Sequence, residues 1–179
     1  MNVQLCSIRI ETLGCRLNQT EAESFAALCT DAGFSIYTGH ADYAGYAGTT
    51  PADTPTITAP ESAAPIRLSS ALPPEQTVLC FVNTCTVTGK AEQKARRLIR
   101  LLVKTHPYAV ILVTGCYAQL EAAAIEALHP HILAFPGQQK DLLTEIPAYL
   151  AKLVADSAYF DTAFFLSAVR AYLTDLTTK

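Results

Sequence analysis

The sequence predicts an α/β fold with a mainly parallel, doubly wound sheet, Rossmann-like or flavodoxin-like, and helices on both faces. Short β-branched runs alternate along the chain with amphipathic segments of helical period. This alternation favours parallel strands joined by crossover helices. The chain has 179 residues, 50% of them hydrophobic, which is enough for one core of this kind. We assign residues 1–153 to the α/β domain and residues 154–179 to a helical tail.

The first β-α-β unit opens the chain. A strand is predicted at Ser7–Thr12, where apolar and polar residues alternate. The following helix is predicted to begin near Thr20, where the letters TEAE match the capping-box pattern. We expect it to end at Gly33, a favourable residue after a helix. The second strand is predicted at Phe34–Thr38.

Residues 39–76 interrupt the alternation. They are rich in Ala, Thr, Pro and Gly, have few large aliphatic residues, and contain Tyr43 and Tyr46 as their only Phe, Tyr or Trp residues. This composition buries too little apolar surface to offset the entropy of ordering. We therefore expect a long, mobile insertion, with a surface-bound extended segment as the alternative.

The alternation resumes after the insertion. The predicted elements are, in order, strand Val78–Val82, helix Lys90–Lys104, strand Val110–Val113, helix Glu121–Leu128, strand Ile132–Phe135 and helix Lys140–Leu153. The tail from Ala155 is predicted to form one further helix.

The six cysteines fall into two classes. Cys6, Cys29 and Cys80 lie among aliphatic residues within predicted elements, which is typical of small buried hydrophobic residues. The other three follow an apolar run and a short turn, in the segments TLGC, VNTC and VTGC. These three are Cys15, Cys85 and Cys116. Because parallel strands present their carboxyl ends at one edge, where open α/β folds bind ligands, we expect these thiols to lie at one edge of the sheet.

Three thiols at one edge indicate a metal or cluster site, although scattered thiols at strand ends also occur for structural reasons. A zinc ion bound by three cysteines needs a fourth ligand, usually a histidine, and no histidine lies in a cysteine loop. The four histidines are His40, His106, His129 and His131. A 4Fe–4S cluster held by three cysteines from distant loops fits the pattern better and leaves one iron open.

The helix after Cys85 has a basic face. Its six cations share one broad arc without an intervening acid, opposite an apolar arc. They are Lys90, Lys94, Arg96, Arg97, Arg100 and Lys104. This face is either an ordinary solvated surface or a track for RNA phosphates close to the thiols.

Composition and missing motifs exclude several classes of function. The formal net charge of −3 argues against bulk nucleic-acid binding, so RNA contact must come from the local basic face, and DNA is not an expected partner. The sequence shows neither a secretory leader nor an apolar run of membrane-spanning length, so we expect a cytoplasmic protein with no membrane partner. It also lacks the GxGxxG, P-loop, GxSxG and HExxH motifs.

Three segments resemble the N-terminal domain of the radical S-adenosylmethionine methylthiotransferases. They are TLGCRLNQTEAESF, FVNTCTVTGKAEQKARRLIR and ILVTGCYAQL, and a weaker match follows at Phe135–Asp141. Within that family, the wording GCRLN, NTCTVT and GCYAQ is similar to the branch that modifies N6-threonylcarbamoyladenosine in tRNA, next to the anticodon.

The resemblance implies that Cys15, Cys85 and Cys116 hold an auxiliary 4Fe–4S cluster whose open iron carries the sulfur to be inserted. It also implies that Asn18 and Asn83 shape the cluster loops. S-adenosylmethionine and a second 4Fe–4S cluster belong to a following radical barrel domain with a CxxxCxxC motif. No such motif occurs in this sequence. We expect the barrel and the RNA-binding module to be absent, so that this chain alone is inactive, and a non-catalytic iron–sulfur or RNA-binding module is the alternative.

Overall fold

The structure is a computed structural model, which describes residues 3, 6–39, 76–85, 89–157 and 161–178. Five strands form one parallel sheet. They are β1 (Ser7–Leu13), β2 (Ser35–Gly39), β3 (Thr77–Thr84), β4 (Val110–Gly115) and β5 (Ile132–Ala134). The strand order is β2-β1-β3-β4-β5, which is the flavodoxin-like order. The predicted α/β class and parallel, doubly wound sheet are confirmed.

Five α-helices and one 3₁₀ segment connect or follow the strands in the described residues. They are α1 (Arg16–Asp31), α2 (Gly89–Thr105), α3 (Cys116–Glu126), the 3₁₀ segment Gly137–Glu145, α4 (Ile146–Asp156) and α5 (Thr162–Thr178). Helix α5 lies within the region predicted as a helical tail, and its residues Phe165, Val169 and Leu173 belong to a core cluster. The predicted insertion, apart from its first and last residues, lies outside the described residues.

The sheet buries an apolar core on each face, as a doubly wound fold requires. On one face, Phe25 of α1 stacks on Phe81 of β3, with ring centroids 4.1 Å apart, and α4 and α5 extend this layer. On the other face, α2 and α3 cover Cys80, Val82 and Ile111. Strands β3 and β4 are buried on both sides, which explains their largely β-branched and aliphatic sequence.

Three predicted helix boundaries were wrong. Helix α1 begins at Arg16, not near Thr20. The Thr20 hydroxyl donates to the Arg16 carbonyl within the helix, so it does not form the predicted capping box. Helix α3 begins directly at Cys116, well before Glu121, where the backbone has a kink (φ −130°, ψ 34°).

The third boundary concerns the helix predicted at Lys140–Leu153. It is divided into the 3₁₀ segment and α4, which begins at Ile146. Pro147 explains the division, because a residue without an N–H is accommodated only in the first turn of an α-helix.

A buried histidine follows the last residue of α2. His106 is 4% exposed, and its Nε2 lies 2.8 Å from the Tyr37 hydroxyl. Its Nδ1 lies 2.8 Å from Thr105 Oγ1, whose hydroxyl already donates to the Leu101 carbonyl. The ring is therefore satisfied when neutral, with Nδ1 donating and Nε2 accepting. Burial, followed by the charge of Arg9, lowers the pKa of His106 to about 4.

We expect this histidine to weaken the fold in mild acid. The unfolded chain binds a proton on His106 near pH 6.5, whereas the folded chain does so only near pH 4, so the free energy of unfolding falls as the pH drops through this window. By pH 4.5, this effect should have lowered the free energy of unfolding by about 2 kcal/mol relative to neutral pH. Urea unfolding of the wild type and of His106→Gln at pH 8 and pH 4.5 tests this. An equal acid-induced loss in both proteins would contradict it.

Among the described residues, no helix combines the length and apolar character needed to cross a membrane.

Candidate metal centre

The carboxyl ends of three neighbouring strands are in lateral register. Leu13 of β1 pairs with Thr84 of β3, and Thr84 pairs with Gly115 of β4. A cysteine follows each of these residues, either directly or one position later. The three cysteines are Cys15, Cys85 and Cys116, and we call their location the cysteine edge. The strand order reverses between β1 and β3, so the first two loops flank the topological switch point, where such folds bind ligands.

The six thiols divide by exposure as the sequence predicted. Cys15 and Cys116 are exposed and Cys85 is half-buried. Cys6, Cys29 and Cys80 are between 0% and 3% exposed, and burial raises the pKa of each. The prediction that these last three are small buried hydrophobic residues is confirmed. Only the three thiols of the cysteine edge, among the described residues, are accessible to a metal.

Cys15 is the residue that precedes the first turn of α1. The N–H groups of a first turn have no partner within the helix and favour negative charge. The backbone N–H of Asn18 is the largest of the effects that lower the pKa of Cys15. Cys15 is therefore predisposed to the thiolate form, which is the form that binds metals.

Close backbone packing brings the first two loops together. The Cys85 N–H donates to the Leu13 carbonyl at 2.7 Å. Gly14 has a φ of +146°, and a side chain there would place its Cβ 2.5 Å from the Cys85 Cβ. Only glycine accommodates both this backbone angle and this approach. Gly14 therefore sets the distance between Cys15 and the Cys85 loop.

Cys116 is the first residue of α3, where the sequence predicted a loop. Gly115, with φ 97° and ψ −166°, turns the chain directly from β4 into the helix. The next residue, Tyr117, is 1% exposed, and its hydroxyl accepts a hydrogen bond from Arg96 Nε at 2.6 Å. The start of α3 is therefore held against α2.

Two buried asparagines connect the Cys15 loop to β3. Asn18 Nδ2 donates to Asn83 Oδ1 at 2.9 Å, and Asn83 Nδ2 donates to the Asn18 carbonyl at 3.1 Å. Asn18 Oδ1 in turn accepts from the Cys15 thiol at 3.0 Å. The expectation that these asparagines shape the loops is consistent with these contacts.

The donor set suits a soft metal centre, because the cysteine edge offers three reduced thiols. Among the described residues, however, no group of three or more His, Cys, Asp or Glu side chains is placed to hold a metal ion. A cluster bonds each cysteine to a different iron, so its ligands lie farther apart than those of a single ion. The described residues therefore do not form a site for a single ion such as zinc.

The described histidines also argue against zinc. His106 follows the carboxyl end of α2, and His129 and His131 precede β5. In a parallel sheet with crossover helices, these positions lie at the amino edge of the strands, opposite the cysteine edge. His40 lies outside the described residues.

The basic face of α2 is largely solvent-exposed. Five of its six cations are exposed, and Arg96 is the exception. Arg96 pairs with Glu92 at 3.0 Å and bonds to Tyr117, so it is engaged within the protein. Glu92, one helical turn before Arg96, borders the edge of this face and pairs with its outermost cation. The apolar arc, which includes Leu98 and Ile99, is buried as predicted.

Two residues near the site, Glu21 and Lys140, have roles that the sequence reasoning missed. Lys140 Nζ lies 2.5 Å from Glu21 Oε2, which also accepts from Asn83 Nδ2 at 2.9 Å. The sequence pattern places Glu21 in a capping box and Lys140 within the weak match at Phe135–Asp141. An acid and a base in two family-like segments are the only sequence signal for this contact.

Comparison with known proteins identifies the domain. Residues 66–137 match the family model described as "Uncharacterized protein family UPF0004". The chain is 45% identical over 173 residues to "Threonylcarbamoyladenosine tRNA methylthiotransferase MtaB" of Treponema pallidum (strain Nichols), a match that covers 97% of this chain and 30% of that protein. Residues 66–137 therefore carry a UPF0004 domain, and nearly the whole chain is homologous to a protein named as a methylthiotransferase. The resemblance inferred from the cysteine segments is thus confirmed.

Of two further relatives, one names the same nucleoside and the other names a different one. The protein of the same name from Bacillus subtilis (strain 168) is 30% identical over 125 residues, covering 69% of this chain and 20% of its own length. The "tRNA-2-methylthio-N(6)-dimethylallyladenosine synthase" of Desulfosudis oleivorans is 45% identical over 51 residues, or 27% of this chain and 11% of that protein. The chain therefore spans less than a third of the length of the relatives that it matches.

Proposed function

We propose that this UPF0004 domain carries a 4Fe–4S cluster on Cys15, Cys85 and Cys116 and serves a tRNA methylthiotransferase. The observation that carries the proposal is the lateral register of Leu13 and Gly115 with Thr84, which brings three accessible thiols to one edge of the sheet. Relatives named as tRNA methylthiotransferases support the reaction class.

The chain's own residues prepare this edge for a cluster. The first turn of α1 favours the thiolate of Cys15, and Gly14 and Gly115 allow the loops to approach one another. With three cysteine ligands, the cluster would keep one iron open for the sulfur to be transferred. The two buried asparagines hold the Cys15 loop against β3, so the loop is already ordered before a cluster binds.

We propose N6-threonylcarbamoyladenosine, next to the tRNA anticodon, as the modified nucleoside. The support is the long match to the Treponema relative named for this substrate, which aligns over 97% of the chain. Two relatives named for dimethylallyladenosine align over 34% and 27% of it. Mass spectrometry of tRNA nucleosides from cells with and without the gene tests this assignment. A change confined to the dimethylallyladenosine product would reject it.

We further propose that S-adenosylmethionine and a second 4Fe–4S cluster are bound by a separate radical domain, and that the enzyme acts in the cytoplasm. Leu17 and Leu120 are 64% and 71% exposed, and they lie on the helices that follow Cys15 and Cys116. Such apolar side chains beside a reactive site favour a protein surface that covers it. A non-catalytic iron–sulfur or RNA-binding module is the rival proposal, and a CxxxCxxC barrel encoded downstream in the same gene would exclude it.

The exposed cations of α2 are the proposed tRNA contact. The double variant Lys94→Glu/Arg97→Glu is expected to weaken binding of a tRNA anticodon stem-loop at least about tenfold, because two phosphate contacts become repulsive. The slope of log affinity against log salt should fall by about 1–2. Lys152→Glu, on α4 across the sheet, reverses one charge in the same way and serves as a control for net charge. Equal losses per reversed charge in the two variants would contradict a specific track.

A further inference from the structure

A line of polar side chains runs from Cys15 to the 3₁₀ segment. The Cys15 thiol bonds to Asn18, Asn18 to Asn83, and Asn83 to Glu21, each at 2.9–3.0 Å. Lys140 ends the line with its ion pair to Glu21. Asn18 is 3% exposed and Asn83 is 0% exposed, so water is not available as an alternative partner for either amide.

The chemistry of its far end fixes the direction of this line. An ammonium group only donates hydrogen bonds, and a carboxylate only accepts them. Asn83 must therefore turn its NH₂ group toward Glu21 and its oxygen toward Asn18. Asn18 must then turn its own NH₂ group toward Asn83, which leaves its oxygen against the sulfur of Cys15. The Asn18 carbonyl and the Glu21 carboxylate together set this orientation, and Lys140 holds the Glu21 carboxylate in place.

We propose that Lys140 is a positioning residue for Cys15, acting through Glu21 and the two buried asparagines. The inference deepens the proposed function and rests on it for the nature of what Cys15 binds. The 3₁₀ segment that carries Lys140 is fastened to the same edge, because a side chain at Gly137 would place its Cβ 2.9 Å from the Gly115 carbonyl carbon and oxygen. One segment after β5 therefore supports both the first and the third cysteine.

Alkylation of the metal-free chain tests the proposal. We expect Lys140→Met to raise the rate at which iodoacetamide modifies Cys15 about three- to tenfold, the effect of losing one fixed hydrogen bond at the sulfur. Mass spectrometry of the separate peptides reports Cys15 and Cys116 in one experiment, and the rate at Cys116 should not change. Lys140→Arg, which still donates to Glu21, should restore the wild-type rate.

A matched control separates positioning from general loosening. Arg170→Met removes another partly exposed ion pair, with Glu126 at 3.2 Å, on the remote helix α5. It should leave the rate at Cys15 unchanged. An unchanged Cys15 rate in Lys140→Met would overturn the inference, and so would parallel increases at Cys15 and Cys116.

Iron binding distinguishes this inference from the proposed function. If the reconstituted wild type takes up no iron, the cluster proposal fails, and the alkylation rates still decide the role of Lys140. If the wild type holds iron, Lys140→Met should release it to a chelator about threefold faster or more. An unchanged release rate would count against Lys140 alone.

Discussion

Replacing Cys15, Cys85 or Cys116 with alanine is expected to reduce bound iron from about four atoms per chain to fewer than about one after anaerobic reconstitution. Each replacement removes one of three thiolates that arise from separate strand ends, and the other three cysteines are buried in the core. Iron and sulfide analysis, together with visible absorption, measures the loss. The substitutions should leave the thermal unfolding of the metal-free chain nearly unchanged for Cys15 and Cys116, whose side chains are exposed.

The buried cysteines provide the matched control. Cys29→Ala and Cys80→Ala delete the same sulfur atom from positions that are 0% exposed within the two cores. They should reduce the free energy of unfolding but retain iron at the wild-type level. Retention of iron in all three edge variants would refute the site, whereas loss only in variants of Cys6, Cys29 or Cys80 would move it.

Gly115→Ala is expected to have the largest effect on folding. Its φ of 97° and ψ of −166° lie in a region essentially restricted to glycine, which costs another residue about 1–3 kcal/mol. Its new Cβ would also clash with the Thr84 carbonyl oxygen and lie 2.9 Å from Asn83 Oδ1, an overpacking cost of about 1–3 kcal/mol. The expected total is about 3 kcal/mol, or a decrease in Tm of roughly 6–12 °C for a chain of this size.

Gly89→Ala is the control for the loss of a glycine. Gly89 lies at the start of α2, and a Cβ added there would meet no atom within 4 Å among the described residues. This variant should be as stable as the wild type or slightly more so, because alanine favours helices. Differential scanning calorimetry compares the two variants. Similar Tm values would show that the backbone at Gly115 is less constrained than the geometry indicates.

The local pattern predicted most elements because each strand and helix carries its own periodicity. The run Val110–Val113, for example, predicts β4, although the strand continues to Gly115. The extension arises because Thr114 and Gly115 pair with Asn83 and Thr84 of β3, a neighbour that the local sequence does not reveal. The same reason explains why α3 begins at Cys116: a strand that reaches the glycine turn leaves no room for a loop.

The sequence by itself determined the class of fold and separated three strand-end thiols from three buried ones, since burial and period follow from neighbouring residues. Which residues surround those thiols depends on the tertiary structure. It placed β1, β3 and β4 side by side, turned Arg96 toward Tyr117, and brought Lys140 to Glu21. These contacts join residues far apart in the chain, and they depend on strand order and register, which only long-range packing fixes.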